Sequence, residues 1–296
     1  MNTIDRTVST EDGRTLCLME AGQPDGVPVL VHGGTPNSRI LNETWISDAH
    51  SRGIRLISYD RPGCGGSTAQ PGRTVASAAG DAAAIAKALE LKRLLVWGIS
   101  GGGPHALACA ALLPDLVVAV AALAPPAPYP AEGLDWFAGM GAMNVEEFTA
   151  ALTSREACEK VVEASASEML AATPETLAQA LRTLLCPVDA AVLTPDFAAF
   201  ALRKVREGIS ATRAGWVDDE IAFTTPWGFA LKDIRIPVLL IHGAQDQMVP
   251  LAHGEWLAKQ IPGIETRFLP DDGHLTLPAR RIPEVHAWLL KQWEGA

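Results

Sequence analysis

Ser100 stands alone among glycines in Leu94-Leu95-Val96-Trp97-Gly98-Ile99-Ser100-Gly101-Gly102-Gly103-Pro104-His105. An apolar run breaks at Gly98 and an Ala/Leu-rich helical pattern continues to Leu113. The spacing predicts a strand, a sharp turn and a helix, with one hydroxyl at the apex: the Gly-x-Ser-x-Gly nucleophile elbow. Such a turn strains the serine backbone and demands small residues two before and two after, where any larger side chain collides. A serine hydroxyl is a poor nucleophile at neutral pH, so the chain must also supply a base, usually a histidine held by a carboxylate.

Of the seven histidines, His32 and His242 each precede glycine at the end of an apolar run and read as hydrogen-bonding parts of the scaffold. His50, His253 and His286 lie in helical patterns among charged neighbours. His105, on the helix that follows the serine, reads as packing. His274, in Pro270-Asp271-Asp272-Gly273-His274, follows the last apolar strand and is the base candidate. Asp246, in the loop Gly243-Ala244-Gln245-Asp246-Gln247-Met248-Val249-Pro250 after the preceding strand, is the carboxylate candidate. Asp271 and Asp272 are too near His274 in sequence to orient it and read as loop-shaping. After the apolar run 117–123 no acid occurs until Glu132. Acyl transfer also needs donors for an oxyanion. One is the N–H of Gly101, at a helix N-terminus where the dipole favours negative charge. The other comes from His32-Gly33-Gly34-Thr35: Gly34, with Thr35 as the alternative.

The elements that must position these groups follow from hydrophobic patterning. Residues 4–10 and 15–21 read as strands joined by a turn at Asp12-Gly13. Further apolar strands occupy 27–31, 54–59, 93–99 and 117–123, with helical stretches between them, 74–89 among these. Continuous Val/Ile/Leu runs alternating with amphipathic helices indicate α/β architecture, a parallel sheet covered on both faces, with ligands at the carboxyl ends of its strands. From residue 128 the strand pattern stops. Helices are expected at 134–140, 145–170, 174–185, 195–208 and 212–223. The α/β pattern resumes with a strand at 236–243, a helix at 251–261, a strand at 264–269 and a final helix at 283–293. The reading is a core of 1–127 and 226–296 interrupted by a helical insertion, 128–225. That insertion carries 15 acidic and 7 basic residues, and so most of the chain's net charge of −10.

The acidic balance argues against nucleic acid as a partner. Five cysteines, widely spaced and without a Cys-x-x-Cys pair, argue against a disulfide framework or a zinc site. No clustered metal ligands and no phosphate-binding glycine motif occur, so neither metal nor cofactor is expected. The polar N-terminus lacks an apolar h-region, and residues 116–124 are too short to span a bilayer. A cytoplasmic protein without membrane contact is therefore expected; the oligomeric state stays open.

With these residues in place the chain resembles the α/β-hydrolase superfamily, in the form that carries a helical cap between the sixth and seventh core strands. The matching motifs are His32-Gly33-Gly34, Asp60-Arg61-Pro62-Gly63-Cys64-Gly65-Gly66-Ser67, Gly98-Ile99-Ser100-Gly101-Gly102, Asp246 and His274, over roughly 15–125 and 226–295. The resemblance implies an eight-stranded, mostly parallel sheet with its second strand reversed, and no cofactor. Dehalogenases and epoxide hydrolases of the superfamily carry aspartate where this chain has Ser100, which excludes both.

The expected activity is hydrolysis of a small carboxylic ester or lactone by Ser100, Asp246 and His274. A second reading is an aminopeptidase similar to proline iminopeptidases, with Glu146-Glu147 or Asp218-Asp219-Glu220 holding a substrate amino group. Those peptidases, however, have tryptophan where Gly101 stands here. Carbon–carbon bond hydrolases and cofactor-free haloperoxidases share the triad, and a non-catalytic binding module is the reading from a different class. Specificity is expected from the insertion, where Trp136, Phe137, Met140 and Met143 cluster near its start and Phe197, Phe200, Trp216 and Trp227 near its end. At helical spacing such residues also serve as its packing core.

Overall fold

In the computed structural model, which describes residues 3–182 and 185–295, eight strands form one sheet. They are β1 (Ile4–Ser9), β2 (Thr15–Gly22), β3 (Val27–His32), β4 (Ile54–Tyr59), β5 (Leu94–Ile99), β6 (Val117–Leu123), β7 (Val238–Gly243) and β8 (Glu265–Leu269), in the order β1-β2-β4-β3-β5-β6-β7-β8. β2 runs antiparallel to both neighbours, and the pairs from β4 to β8 are all parallel. The expected reversed second strand is therefore present.

Strand side chains alternate between two packed faces. Leu30, Val96, Val120 and Leu240 pack on one side with α2 (Ser77–Ala88), α3 (Gly102–Leu112) and α10 (Leu251–Gln260), through Ile85, Leu107 and Leu257. Val29, Val31, Leu95, Trp97, Ala121, Leu239 and Ile241 pack on the other with α1 (Glu43–Ser51) and α12 (Ile282–Glu294), through Trp45, Ile46, Val285 and Leu289. Both faces being covered is why these strands read as unbroken apolar runs.

Among the described residues no strand lies between β6 and β7; the stretch carries α4 (Ala142–Thr153), α5 (Arg155–Ala171), α6 (Pro174–Arg182), α7 (Pro187–Val192), α8 (Pro195–Ile209) and α9 (Ala214–Phe223). Cys158, Val162, Ala166, Ile209, Trp216 and Val217 give them a small apolar cluster of their own. Residues 134–140, expected as a helix, form turns. The helix expected over 145–170 breaks at Ser154, which is extended (φ −172°, ψ 159°) and caps α5 by accepting the Ala157 N–H. A serine that satisfies a helix N-terminus in this way ends the preceding helix. The helix expected to reach residue 185 is described only to Arg182, and Thr183 and Leu184 lie outside the described residues. Two short helices escape the periodicity reading, α7 and α11 (Thr276–Arg280), because neither is long enough to show a period.

The carboxyl edge of the sheet is knitted beyond the strands. Ser100 N–H donates to Leu123 O (2.8 Å), Ala124 N–H to Ile241 O (2.9 Å) and Ala244 N–H to Leu269 O (2.8 Å). The loops after β5, β6, β7 and β8 are thereby fixed side by side.

Candidate active site

At the end of β5, Ser100 has φ of +53°, the left-handed conformation that L-residues avoid. The flanking glycines are required by contact. A Cβ on Gly98 would lie 2.2 Å from Gly102 O, and one on Gly102 would lie 2.1 Å from His32 O. Gly103 N–H donates to Ser100 O (2.8 Å), opening α3 directly behind the serine. Among the described residues Ser100 Oγ has no hydrogen-bond partner.

Along the same edge, in the loop after β8, His274 Nδ1–H donates to Asp246 Oδ2 (2.7 Å). The other carboxylate oxygen, Oδ1, accepts the N–H groups of Met248 and Val249, both at 2.8 Å. His242 Nε2–H braces this loop through Val249 O (2.8 Å). With the Nδ1 proton committed to Asp246, Nε2 is the proton acceptor. Burial alone lowers the His274 pKa, but the charge of Asp246, its hydrogen bond and the more distant Asp189 together hold it above the ordinary value.

Asp189 is a residue that the sequence reading missed. From α7 in the insertion its carboxylate accepts three consecutive N–H groups: His274 (2.7 Å) at Oδ2, and Leu275 (2.8 Å) and Thr276 (2.9 Å) at Oδ1. A Cβ on Gly273 would collide with that carboxylate at 2.4 Å, so the glycine is what lets Asp189 approach. Nothing in the sequence signals a pairing across 85 residues. Asp271 and Asp272 do not touch the imidazole; Asp272 is paired with Arg281 instead.

The loop expected to supply an oxyanion donor follows β3. A Cβ on Gly34 would lie 3.3 Å from Ser100 Cβ, and one on Gly101 would lie 2.4 Å from Thr35 Oγ1, so loop and elbow are in contact. The N–H groups of Gly34 and Gly101 donate to no group among the described residues. Gly33 C=O accepts Arg61 Nη1. Because a trans peptide is planar with its C=O and N–H opposed, anchoring that carbonyl turns the Gly34 N–H the other way.

Arg61 is the Arg of the Asp-Arg-Pro-Gly motif, which the sequence reading quoted but gave no role. Its guanidinium also meets Asp219 of α9 (Nη2–Oδ2 2.6 Å). Asp219 is fully buried; it pairs with Arg73 (2.6 Å), accepts the Thr35 hydroxyl (2.6 Å) and faces His105 Nε2 (3.3 Å). Burial would raise its pKa, yet Arg61 and Arg73 hold it well below the usual carboxylate range. His105 is thus a partner of this network as well as a packing residue. Among the acids considered as amine anchors, Asp219 is consumed here and Asp218 is paired with Arg155. Glu146 is exposed; Glu147 and Glu220 lie near one another inside the insertion, where burial pushes Glu147 up to about 7 and Glu220 well above its usual range.

The aromatic residues divide as well. Trp136, Met140 and Trp227 are buried in the main core and Trp216 in the insertion's own cluster. Phe200 packs edge-on against Trp45, and with Phe197 it lines a groove beside α11.

Residues 27–278 match the α/β hydrolase fold family, and the chain belongs to it. A non-heme chloroperoxidase of Streptomyces lividans is 29% identical over 252 residues, covering 83% of this chain and 84% of that protein. A pimeloyl-[acyl-carrier protein] methyl ester esterase of Aromatoleum aromaticum is 43% identical, but over 72 residues, 24% of this chain and 28% of that esterase. Among solved structures, an esterase from Exiguobacterium antarcticum superposes with a TM-score of 0.71 at 19% identity, covering 97% of this chain and 99% of the other. The enol-lactonase from Burkholderia xenovorans gives 0.70 at 17%, covering 97% and 100%. At these identities the structural likeness speaks for the fold alone.

Proposed function

We propose that the protein is a serine hydrolase that cleaves a small carboxylic ester or lactone through an acyl-enzyme on Ser100. The observation that carries this is the Asp246–His274 pair at the same sheet edge as a serine held at positive φ with its hydroxyl unengaged. His274 Nε2 takes the Ser100 proton as Oγ attacks the carbonyl carbon. The tetrahedral oxyanion is held by the N–H groups of Gly34 and Gly101. Collapse expels the alcohol, which receives the proton back from His274. Water then attacks the acyl-enzyme with His274 as base, releasing the acid and restoring Ser100. Asp246 keeps the imidazole in the required tautomer and stabilises the imidazolium. The 43% identity to a methyl ester esterase over part of the chain supports the ester reading.

A fluorophosphonate probe is expected to label wild type and not Ser100→Ala, and the variant is expected to lose turnover of 4-nitrophenyl acetate. Turnover retained by Ser100→Ala overturns the assignment; absence of labelling in wild type revives the binding-module reading. The chloroperoxidase relative motivates one competing activity, peroxide-dependent halogenation, which an assay with hydrogen peroxide and halide measures on the same preparation. The aminopeptidase reading is weakened because Asp218 and Asp219 are already paired with arginines; 4-nitroanilide of proline against 4-nitrophenyl acetate separates the two.

A further inference from the structure

Two polar side chains stand against the oxyanion loop with nothing bonded to them. Lys204, from α8, is 4% exposed, and its ammonium forms no hydrogen bond or ion pair among the described residues. It lies over the rings of Trp45 (5.1 Å) and Phe200 (5.9 Å). Asn37, half-buried, likewise has no side-chain hydrogen bond.

Their placement is read from the two glycines of the loop. A Cβ on Gly33 would lie 3.5 Å from Lys204 Nζ and 3.7 Å from Asn37 Cβ. A Cβ on Gly34 would lie 3.3 Å from Asn37 Nδ2 and 3.3 Å from Ser100 Cβ. Lys204 and Asn37 thus both lie against Gly33, and Asn37 and Ser100 both lie against Gly34. The backbone fixes this order, since Ser38 N–H donates to Lys204 O (3.0 Å) and locks α8 onto the loop.

A buried, unpaired ammonium is costly, and aromatic faces offset only part of that cost. Burial, together with the nearby Arg61 and opposed by Asp60, pushes Lys204 down to about 7. The fold does not use this charge: Asp60 is already taken by Arg39, and Asp219 by Arg61 and Arg73. A perturbed, partnerless cation against the loop that contacts Ser100 is a candidate for a group reserved for a ligand.

We infer that Lys204 and Asn37 form a subsite for a carboxylate, so that the substrate is an ester or lactone carrying a free carboxylate near the scissile carbonyl. This rests on the serine hydrolase reading for its turnover assay, though not for its binding assay. One ammonium and one carboxamide match the two oxygens of a carboxylate; a phosphate dianion calls for more donors. The chemistry at Ser100 is unchanged: the subsite holds the acyl or alcohol part that bears the carboxylate.

The test compares 4-nitrophenyl hemiesters of succinate, glutarate and adipate with the same compounds methylated at the free carboxylate. The ratio of kcat/KM for the acid over its methyl ester is expected to fall about ten- to hundredfold in Lys204→Met, mainly through KM, as for loss of one charge-assisted hydrogen bond. An unchanged ratio overturns the proposal. Asn37→Ala gives the same readout with a smaller fall, and decides the matter should Lys204→Met not fold. Calorimetric binding of glutarate to Ser100→Ala, with and without Lys204→Met, needs no turnover. Weakening of about tenfold or more supports the subsite even if no ester is hydrolysed, and equal binding in both proteins overturns it.

Discussion

On the His274 side of the site each polar group that orients the imidazole has a partner. Nδ1–H is on Asp246, Asp246 holds two backbone N–H groups, and Asp189 holds three more in the loop that carries the histidine. On the Ser100 side the hydroxyl, the N–H groups of Gly34 and Gly101, the Asn37 carboxamide and the Lys204 ammonium have none among the described residues. Ser100 and Asn37 are partly exposed whereas Gly34, Gly101 and Lys204 are buried, so exposure accounts for only part of the contrast. Leaving a buried polar group unpaired costs about 1–3 kcal/mol, and among the described residues the interior holds such groups elsewhere too, Trp227 Nε1 and His286 Nε2 among them. The open groups around Ser100 differ from these in lying along one loop and the elbow it contacts. The same division separates two cationic sites nearby: Arg61 and Arg73 close on Asp219, and Lys204 meets only the rings of Trp45 and Phe200.

If this contrast is sound, the closed side should respond to mutation through geometry and stability, and the open side through chemistry alone. The largest effect is expected from Asp246→Asn, which leaves the shape but imposes the wrong imidazole tautomer; kcat on 4-nitrophenyl acetate should fall by about 10⁴. A fall below tenfold would remove Asp246 from the triad. Asp219→Ala strands Arg61 and Arg73 in the interior and frees the Gly33 carbonyl anchor. Chemical denaturation should show a loss of about 3–5 kcal/mol, the range for breaking a buried pair. The depressed pKa of Asp219 gives the sign with pH: its contribution is complete above the unfolded value, about 3.9, and is lost as pH falls through the folded value.

Asp189→Asn keeps the shape and removes a charge that raises the His274 pKa. Since the base acts only when neutral, activity in wild type should fall as pH drops through a value above about 6.5. In the variant this acid limb should move to lower pH, with kcat reduced about tenfold by looser positioning of the loop. An unmoved limb would reduce Asp189 to a purely structural clamp. The smallest effect on stability is expected from Ser100→Ala. Its hydroxyl bonds nothing, so denaturation midpoints should shift by less than about 1 kcal/mol, and a larger loss would contradict the open-side description.

The sheet was legible because its strands are buried on two faces and therefore appear as unbroken apolar runs, Leu94–Ile99 and Val238–Gly243 above all. The elbow was legible because steric demand in a tight turn is local: Gly98 and Gly102 are glycines for contacts that a few residues determine. The pairing of Asp246 with His274 was legible because each follows a recognisable strand. The insertion was read less well. Its helices α5 and α8 start at single hydroxyl caps, Ser154 and Thr194, and neither the turns at its start nor the six-residue α7 carry a period.

What the sequence determined by itself was the order of the strands and of the loops that bring Ser100, Asp246 and His274 to one sheet edge. Only the tertiary structure decided which charges are free. Asp189, Asp219 and Lys204 are three polar residues of one acidic, helical segment, alike in their local patterns. One is spent on the His274 loop, one on two arginines, and one has no charged or hydrogen-bonding partner among the described residues. Electrostatic pairing depends on distances of a few ångströms between segments tens to hundreds of residues apart, and local spacing does not encode it.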